Sequence, residues 1–165
     1  MEAKTGYEAE LQSWVGKERA TVSLINSVGT LMYDQGVELV FFRNHLVDLG
    51  VNEVLNLFDY ADNVVRKHID AHTAAKVAKV MRTMDLAPSK LDIGKLTKQY
   101  LEQQKDYPSV EAFLSTTLSD FIGKDKHSFE PRDVVLYGFG RIGRLAAREL
   151  IKQAGKGQQL RLRAI

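Results

Sequence analysis

Apolar residues at Leu11, Trp14, Val15, Val22, Ile25, Val28 and Met32 recur at threes and fours, interrupted by Glu18, and predict one long helix over residues 7 to 34. Asp34-Gln35-Gly36 ends it. From 37 to 49 the run beginning "VELVFF" is apolar on more than one side and reads as a central, buried helix, with Gly50 as its C-terminal cap and Asn52 as the next N-cap. Helical spacing returns at Val54, Leu57, Phe58, Ala61, Val64 and Val65, over residues 53 to 67. It returns again at Ala74, Val77, Ala78, Met81 and Met84, before the stop at Pro88. "APSKLDIG" reads as a loop, and a helix over 93 to 104 follows it. Another helix, capped by Ser109, carries Val110, Phe113, Leu114, Leu118 and Phe121 on one face.

Residues 1 to 123 therefore predict an all-α domain of several helices. The charged stretch 124 to 133, with Pro131, reads as a linker, and the pattern changes after it. "VVLY" at 134 to 137 is the first strand signal in the chain, and it is followed by glycines and an amphipathic helix carrying Ile142, Ala146, Ala147, Leu150, Ile151 and Ala154. The expected fold class is mainly α: a multi-helix domain, then the first strand, turn and helix of a Rossmann-type α/β domain over 134 to 165.

Composition narrows the function classes. With 44% hydrophobic and 27% charged residues among 165, the chain reads as a folded globular protein. A formal charge of +2 gives no footprint for nucleic acid, and no apolar stretch approaches the ~18 residues that span a bilayer. No signal peptide is evident, so the expected location is cytoplasmic, without nucleic-acid or membrane partners. The absence of cysteine removes disulfides, thiolate metal sites and cysteine nucleophiles from these residues.

Gly138, Gly140 and Gly143 form G-x-G-x-x-G between the predicted strand and helix. In a dinucleotide site the first glycine makes the sharp turn, the second lets the pyrophosphate approach bare backbone, and the third lets helix and strand pack closely. The helix N-terminus adds unpaired N–H groups and a positive dipole end. A glycine turn can also serve packing alone. A Walker-type loop would need Lys and Ser or Thr where Arg144 and Leu145 stand, and a kinase loop would need strands after it.

"YGFGRIGRLAARELI" resembles the N-terminal cofactor turn of glyceraldehyde-3-phosphate dehydrogenases, with Tyr137 in place of the Asn of the family's "NGFGRIGR". The following "LRLRAI" resembles the start of that family's second strand. The helical region, through "LMYDQGVELVFFRNHLVD" and "LAPSKLDIGKL", resembles the N-terminal extension of a longer bacterial subgroup. The resemblance implies an NAD site, with NADP not excluded, in which Gly138, Phe139, Gly140, Arg141, Ile142 and Gly143 hold the adenosine-pyrophosphate side. Arg141 and Ile142 would supply backbone N–H groups. It also implies a parent enzyme that oxidises a phosphorylated aldehyde to an acyl phosphate as a homo-oligomer, a tetramer in the family. The family's catalytic cysteine and histidine lie downstream of this turn, so no catalytic residue is assigned here. An acidic residue about 20 positions beyond the turn should hold the adenine ribose. No Asp or Glu follows Glu149, and the chain is expected to be a fragment, inactive alone. The alternative is that the helical domain is the working part, a protein-interaction or oligomerisation module with a non-catalytic glycine turn.

His68 and His72, four apart with Asp70 between them, have a spacing that can present two metal ligands on one helical face. Without a third ligand of matching geometry they read as exposed or capping residues, and no metal site is assigned. Trp14, Phe41, Phe42 and Phe58 read as core rather than cofactor stackers.

Overall fold

Helix α1, Glu2–Gln35, is the longest element of the computed structural model, which describes residues 2–66, 68–123, 132–153 and 160–165. The chain divides into two units, Met1–Lys124 and Asp125–Ile165. In the first, the C-terminal half of α1 buries Leu24, Val28 and Leu31. Its polar residues there are internally satisfied: the buried Thr21 and Ser27 hydroxyls donate to the carbonyls of Lys17 and Ser23, each at 2.9 Å. Helix α3, Ala71–Met81, offers Ala74, Val77, Ala78 and Met81 to this core. Its alanines let α1 and α3 approach closely.

The helix expected over 37 to 49 does not form. Val37–Phe41 is strand β1 and Asn44–His45 is strand β2, joined by the two-residue turn Phe42-Arg43. β1 is also the centre of a three-stranded sheet, pairing in parallel with β3, Ser89–Asp92, where a loop was expected. The "VELVFF" run is apolar on both sides because a central strand covered on both faces is buried that way, and its β-branched and aromatic residues suit a pleated surface. Gly36, at φ +70°, makes the bend from α1 into β1 that the sequence offered as a helix stop.

The hairpin turn is unusual because Phe42 and Arg43 both have positive φ, at 44° and 72°, where Asn-Gly is the usual choice. Side chains hold it in place. The Phe42 N–H donates to Asp92 Oδ1 at 3.0 Å, and Asn44 Nδ2 donates to the Phe41 carbonyl at 3.1 Å. The Phe41 ring packs edge-on against Phe42 and Phe58. Gly94, at the start of α4 (Ile93–Gln103), admits these rings: a Cβ there would lie 3.0 to 3.2 Å from Phe41 and Phe42.

Helix α2, Val51–Tyr60, starts two residues earlier than expected, so Asn52 lies within its first turn and is not its N-cap. Gly50 is its N-cap rather than a C-cap of the preceding segment, and Gly50 N–H donates to Glu53 Oε2 at 2.7 Å. A π-helical turn, Ala61–Val65, continues it to Arg66, whose left-handed φ of 53° closes the element. Helix α5, Val110–Thr117, buries Phe113 and Leu114 and has the predicted Ser109 cap, which accepts from Ala112 N–H at 3.2 Å. Most of the expected linker, residues 124 to 131, lies outside the described residues.

Asp70 caps α3, its carboxylate accepting from Thr73 N–H at 2.9 Å and Thr73 Oγ1 at 2.6 Å. Burial pushes this carboxyl up, but the bonds from Thr73 and the His72 N–H outweigh it and hold it below its ordinary value. A lowered carboxylate contributes stability that is full above its unfolded pKa and lost as pH falls through the folded value. Asp70→Ala should therefore cost about 1 kcal/mol near neutral pH. The difference from the natural chain should shrink in denaturant titrations at progressively lower pH.

Candidate functional site

In the second unit the glycines join strand β4, Arg132–Val135, to helix α6, Arg141–Gln153, and strand β5, Leu160–Ala164, returns parallel to β4. The strand expected at 134 to 137 begins two residues earlier. Its pairing still reaches Leu136, whose N–H donates to the Ala164 carbonyl at 3.0 Å. Val134, Leu136 and Leu162 are half-buried, while their strand neighbours Asp133, Val135, Arg161 and Arg163 are exposed, as period-2 alternation dictates. Ala147 is the buried apolar residue of this unit among those described.

Each glycine has its own geometric reason. Gly138 sits at φ +102°, which an L side chain rarely adopts. Around Gly140 an added Cβ would meet nothing within 4 Å, so backbone lies open there. At Gly143 the same atom would overlap the Gly138 carbonyl oxygen, so only glycine lets α6 pack against the turn. The Gly140 carbonyl accepts from Arg144 N–H at 3.0 Å, the first helical bond of α6. Arg141, Ile142 and Gly143 consequently stand in the first turn, where N–H groups have no intrahelical acceptor. Phe139 and Ile142 are exposed beside them, and Tyr137 is fully exposed.

A charged clamp missed in the sequence reading ties the two strands. Asp133 Oδ1 accepts from Arg161 Nε at 2.6 Å and Asp133 Oδ2 from Arg163 Nε at 3.0 Å. Hydrogen bonds from Arg161 and then Arg163 hold the Asp133 carboxyl below its ordinary value. The alternation of charge in "LRLRA" opposite "RDVV" was the available signal.

In the first unit His68 lies in the segment before α3, exposed, with Nδ1 3.0 Å from Asp62 Oδ1. His72 is in the first turn of α3, and its ring lies against α1, with Cε1 and Nε2 each 3.5 Å from where a Cβ on Gly16 would be. The two do not share a helical face, because the chain enters α3 only after Asp70. Among the described residues no group of three or more His, Cys, Asp or Glu is placed to hold a metal. A concavity of about 410 Å³ lies beside His68, lined by Trp14, Lys17, Phe58, Asp59 and Asp62 among others. Among the described residues no helix is long and apolar enough to cross a membrane.

The geometry is that of a βαβ unit, two parallel strands joined through a glycine turn and a helix. A comparison with known proteins narrows it. The chain is 32% identical over 145 residues to a glyceraldehyde-3-phosphate dehydrogenase-like protein of Pseudomonas aeruginosa (strain UCBPP-PA14), a match covering 86% of this chain and 31% of that protein. The chain thus spans about a third of the length of this relative. A match of that extent is far longer than residues 125–165, so most of it falls in the helical unit. No family profile matches the chain.

Proposed function

We propose that residues 132 to 165 open the nucleotide-binding half of an NAD- or NADP-dependent phosphorylating glyceraldehyde-3-phosphate dehydrogenase. That enzyme would oxidise a phosphorylated aldehyde to an acyl phosphate. The observation carrying this reading is the agreement between "GFGRIGR" and the separate geometric demand met at each glycine. The similarity to a dehydrogenase-like protein supports it.

The turn fits a dinucleotide pyrophosphate. Open backbone at Gly140 leaves room for the phosphates, and the close approach at Gly143 brings the first turn of α6 beside them. Arg141 and Ile142 would donate backbone N–H groups to the phosphate oxygens, reinforced by a dipole end equivalent to about half a positive charge. A bound nicotinamide would supply the hydride acceptor. The nucleophile that attacks the aldehyde is not a cysteine of residues 1 to 165, which contain none. These residues bind and orient the cofactor and take no part in bond making.

The test is an assay of the natural polypeptide that carries these residues, following nicotinamide reduction with glyceraldehyde 3-phosphate and inorganic phosphate. Reduction requiring all three components and lost in Gly143→Val is the expected result. No reduction with all components present contradicts the reading.

A further inference from the structure

The concavity beside His68 is polarised along α2. That helix and the π-turn after it supply Leu55, Phe58, Asp59 and Asp62, so the wall passes from apolar to acidic along the chain. On the other side α1 supplies Trp14 and Lys17, which lie about one turn apart. Ile69, buried in the segment before α3, extends the apolar part. The volume, about 410 Å³, falls within the range of about 300 to 1,000 Å³ for small-molecule pockets.

Charge and aromatic character identify the occupant. Asp59, Asp62 and Asp70 line the concavity together against Lys17 and the His68 imidazole, so negative charge is in excess even with His68 protonated. Two of these carboxylates are engaged within the fold: Asp62 Oδ1 lies 3.0 Å from His68 Nδ1, and Asp70 accepts from Thr73. The Asp59 carboxylate has no hydrogen-bond or ion-pair partner among the described residues, its backbone carbonyl being what accepts from Asn63. The Trp14 indole, 51% exposed, adds a π face, which attracts a cation placed over it. An anion would be repelled by the carboxylates. A neutral apolar molecule would cover Asp59 without pairing it.

We infer that this concavity binds a small organic cation with an apolar body, an alkyl or arylalkyl ammonium. Its ammonium group pairs with Asp59 beside Asp62 and the Trp14 ring, and its body lies on Leu55, Phe58 and Ile69. The inference is independent of the cofactor reading, which concerns residues 132 to 165.

Trp14 is the single tryptophan of the chain, so its fluorescence reports this wall directly. The probes are three molecules of similar shape and different charge: 2-phenylethylammonium, 2-phenylethanol and 3-phenylpropanoate, each titrated into the 165-residue chain at neutral pH and constant ionic strength. The ammonium should change Trp14 emission saturably, with a dissociation constant on the order of millimolar. It should also shift the amides of Leu55, Ile69 and Ala71 in the isotopically labelled chain. The alcohol should bind at least about fivefold more weakly, and the propanoate should not bind. Asp59 is exposed, so Asp59→Asn leaves the core untouched and should weaken ammonium binding about fivefold. Lys17→Gln removes the opposing charge and should strengthen it about twofold. Circular dichroism checks the fold of both variants. No saturable change with the ammonium, equal affinity for the alcohol or the propanoate, or natural affinity in Asp59→Asn would each overturn the inference.

Discussion

Phe41→Ala should lower the stability of the first unit by about 3 to 5 kcal/mol, the range for deleting a fully buried aromatic ring. Phe41 is 1% exposed at the C-terminal end of the central strand, and its ring touches both Phe42 and Phe58 edge-on. Its loss would leave a cavity where the hairpin, the end of α2 and the start of α4 meet. It would also free Phe42 from a turn whose two positive φ values already cost energy. Against a total of 5 to 15 kcal/mol for a typical domain, that is a large fraction. Urea titrations followed by circular dichroism should show the midpoint falling sharply with an unchanged slope. A shift of less than about 1 kcal/mol would mean that the β1 hairpin is not part of this core.

Gly143→Val should remove dinucleotide affinity by at least about tenfold, even though the substitution adds no charge and touches no phosphate directly. The clash it creates is with backbone, the Gly138 carbonyl, which cannot swing aside as a flexible side chain would. Relief requires α6 to move away from the turn, and the N–H groups of Arg141 and Ile142 move with it. This unit has little core to resist, since Ala147 is its buried apolar residue among those described. The substitution should therefore also reduce amide dispersion in β4 and α6. Unchanged affinity would show that close packing of α6 on the turn is not needed for binding.

Residues differed in how openly they announced their structure. The helices over α1, α3, α4 and α5 follow from threes-and-fours spacing, and Ser109 is recognisable as a cap because its hydroxyl precedes an apolar run. "VELVFF" misled because a strand buried on both faces has no alternation to display, and because its turn uses Phe42-Arg43 where a glycine or asparagine would have given the hairpin away. β3 was hidden for another reason. Ser89–Asp92 buries a single residue, Leu91, so its strand character comes from pairing with β1 and not from its own pattern. At the candidate site, local sequence signalled the strand, the turn and the helix in order, because each glycine there answers a local steric demand. The Asp133–Arg161–Arg163 clamp depends on strands about 28 residues apart coming together, which no local pattern encodes.

The central claim, that the turn between β4 and α6 receives a dinucleotide, is tested most directly by titrating NAD into the isotopically labelled 165-residue chain and following backbone amide shifts. Binding here engages the pyrophosphate cradle without a ribose-holding acid after Glu149, so the predicted affinity is weak, on the order of millimolar. The predicted result is saturable shifts concentrated at Gly138 to Gly143 and the first turn of α6, absent in Gly143→Val. No perturbation of these amides at saturating NAD, or shifts confined to residues before 124, would contradict the account.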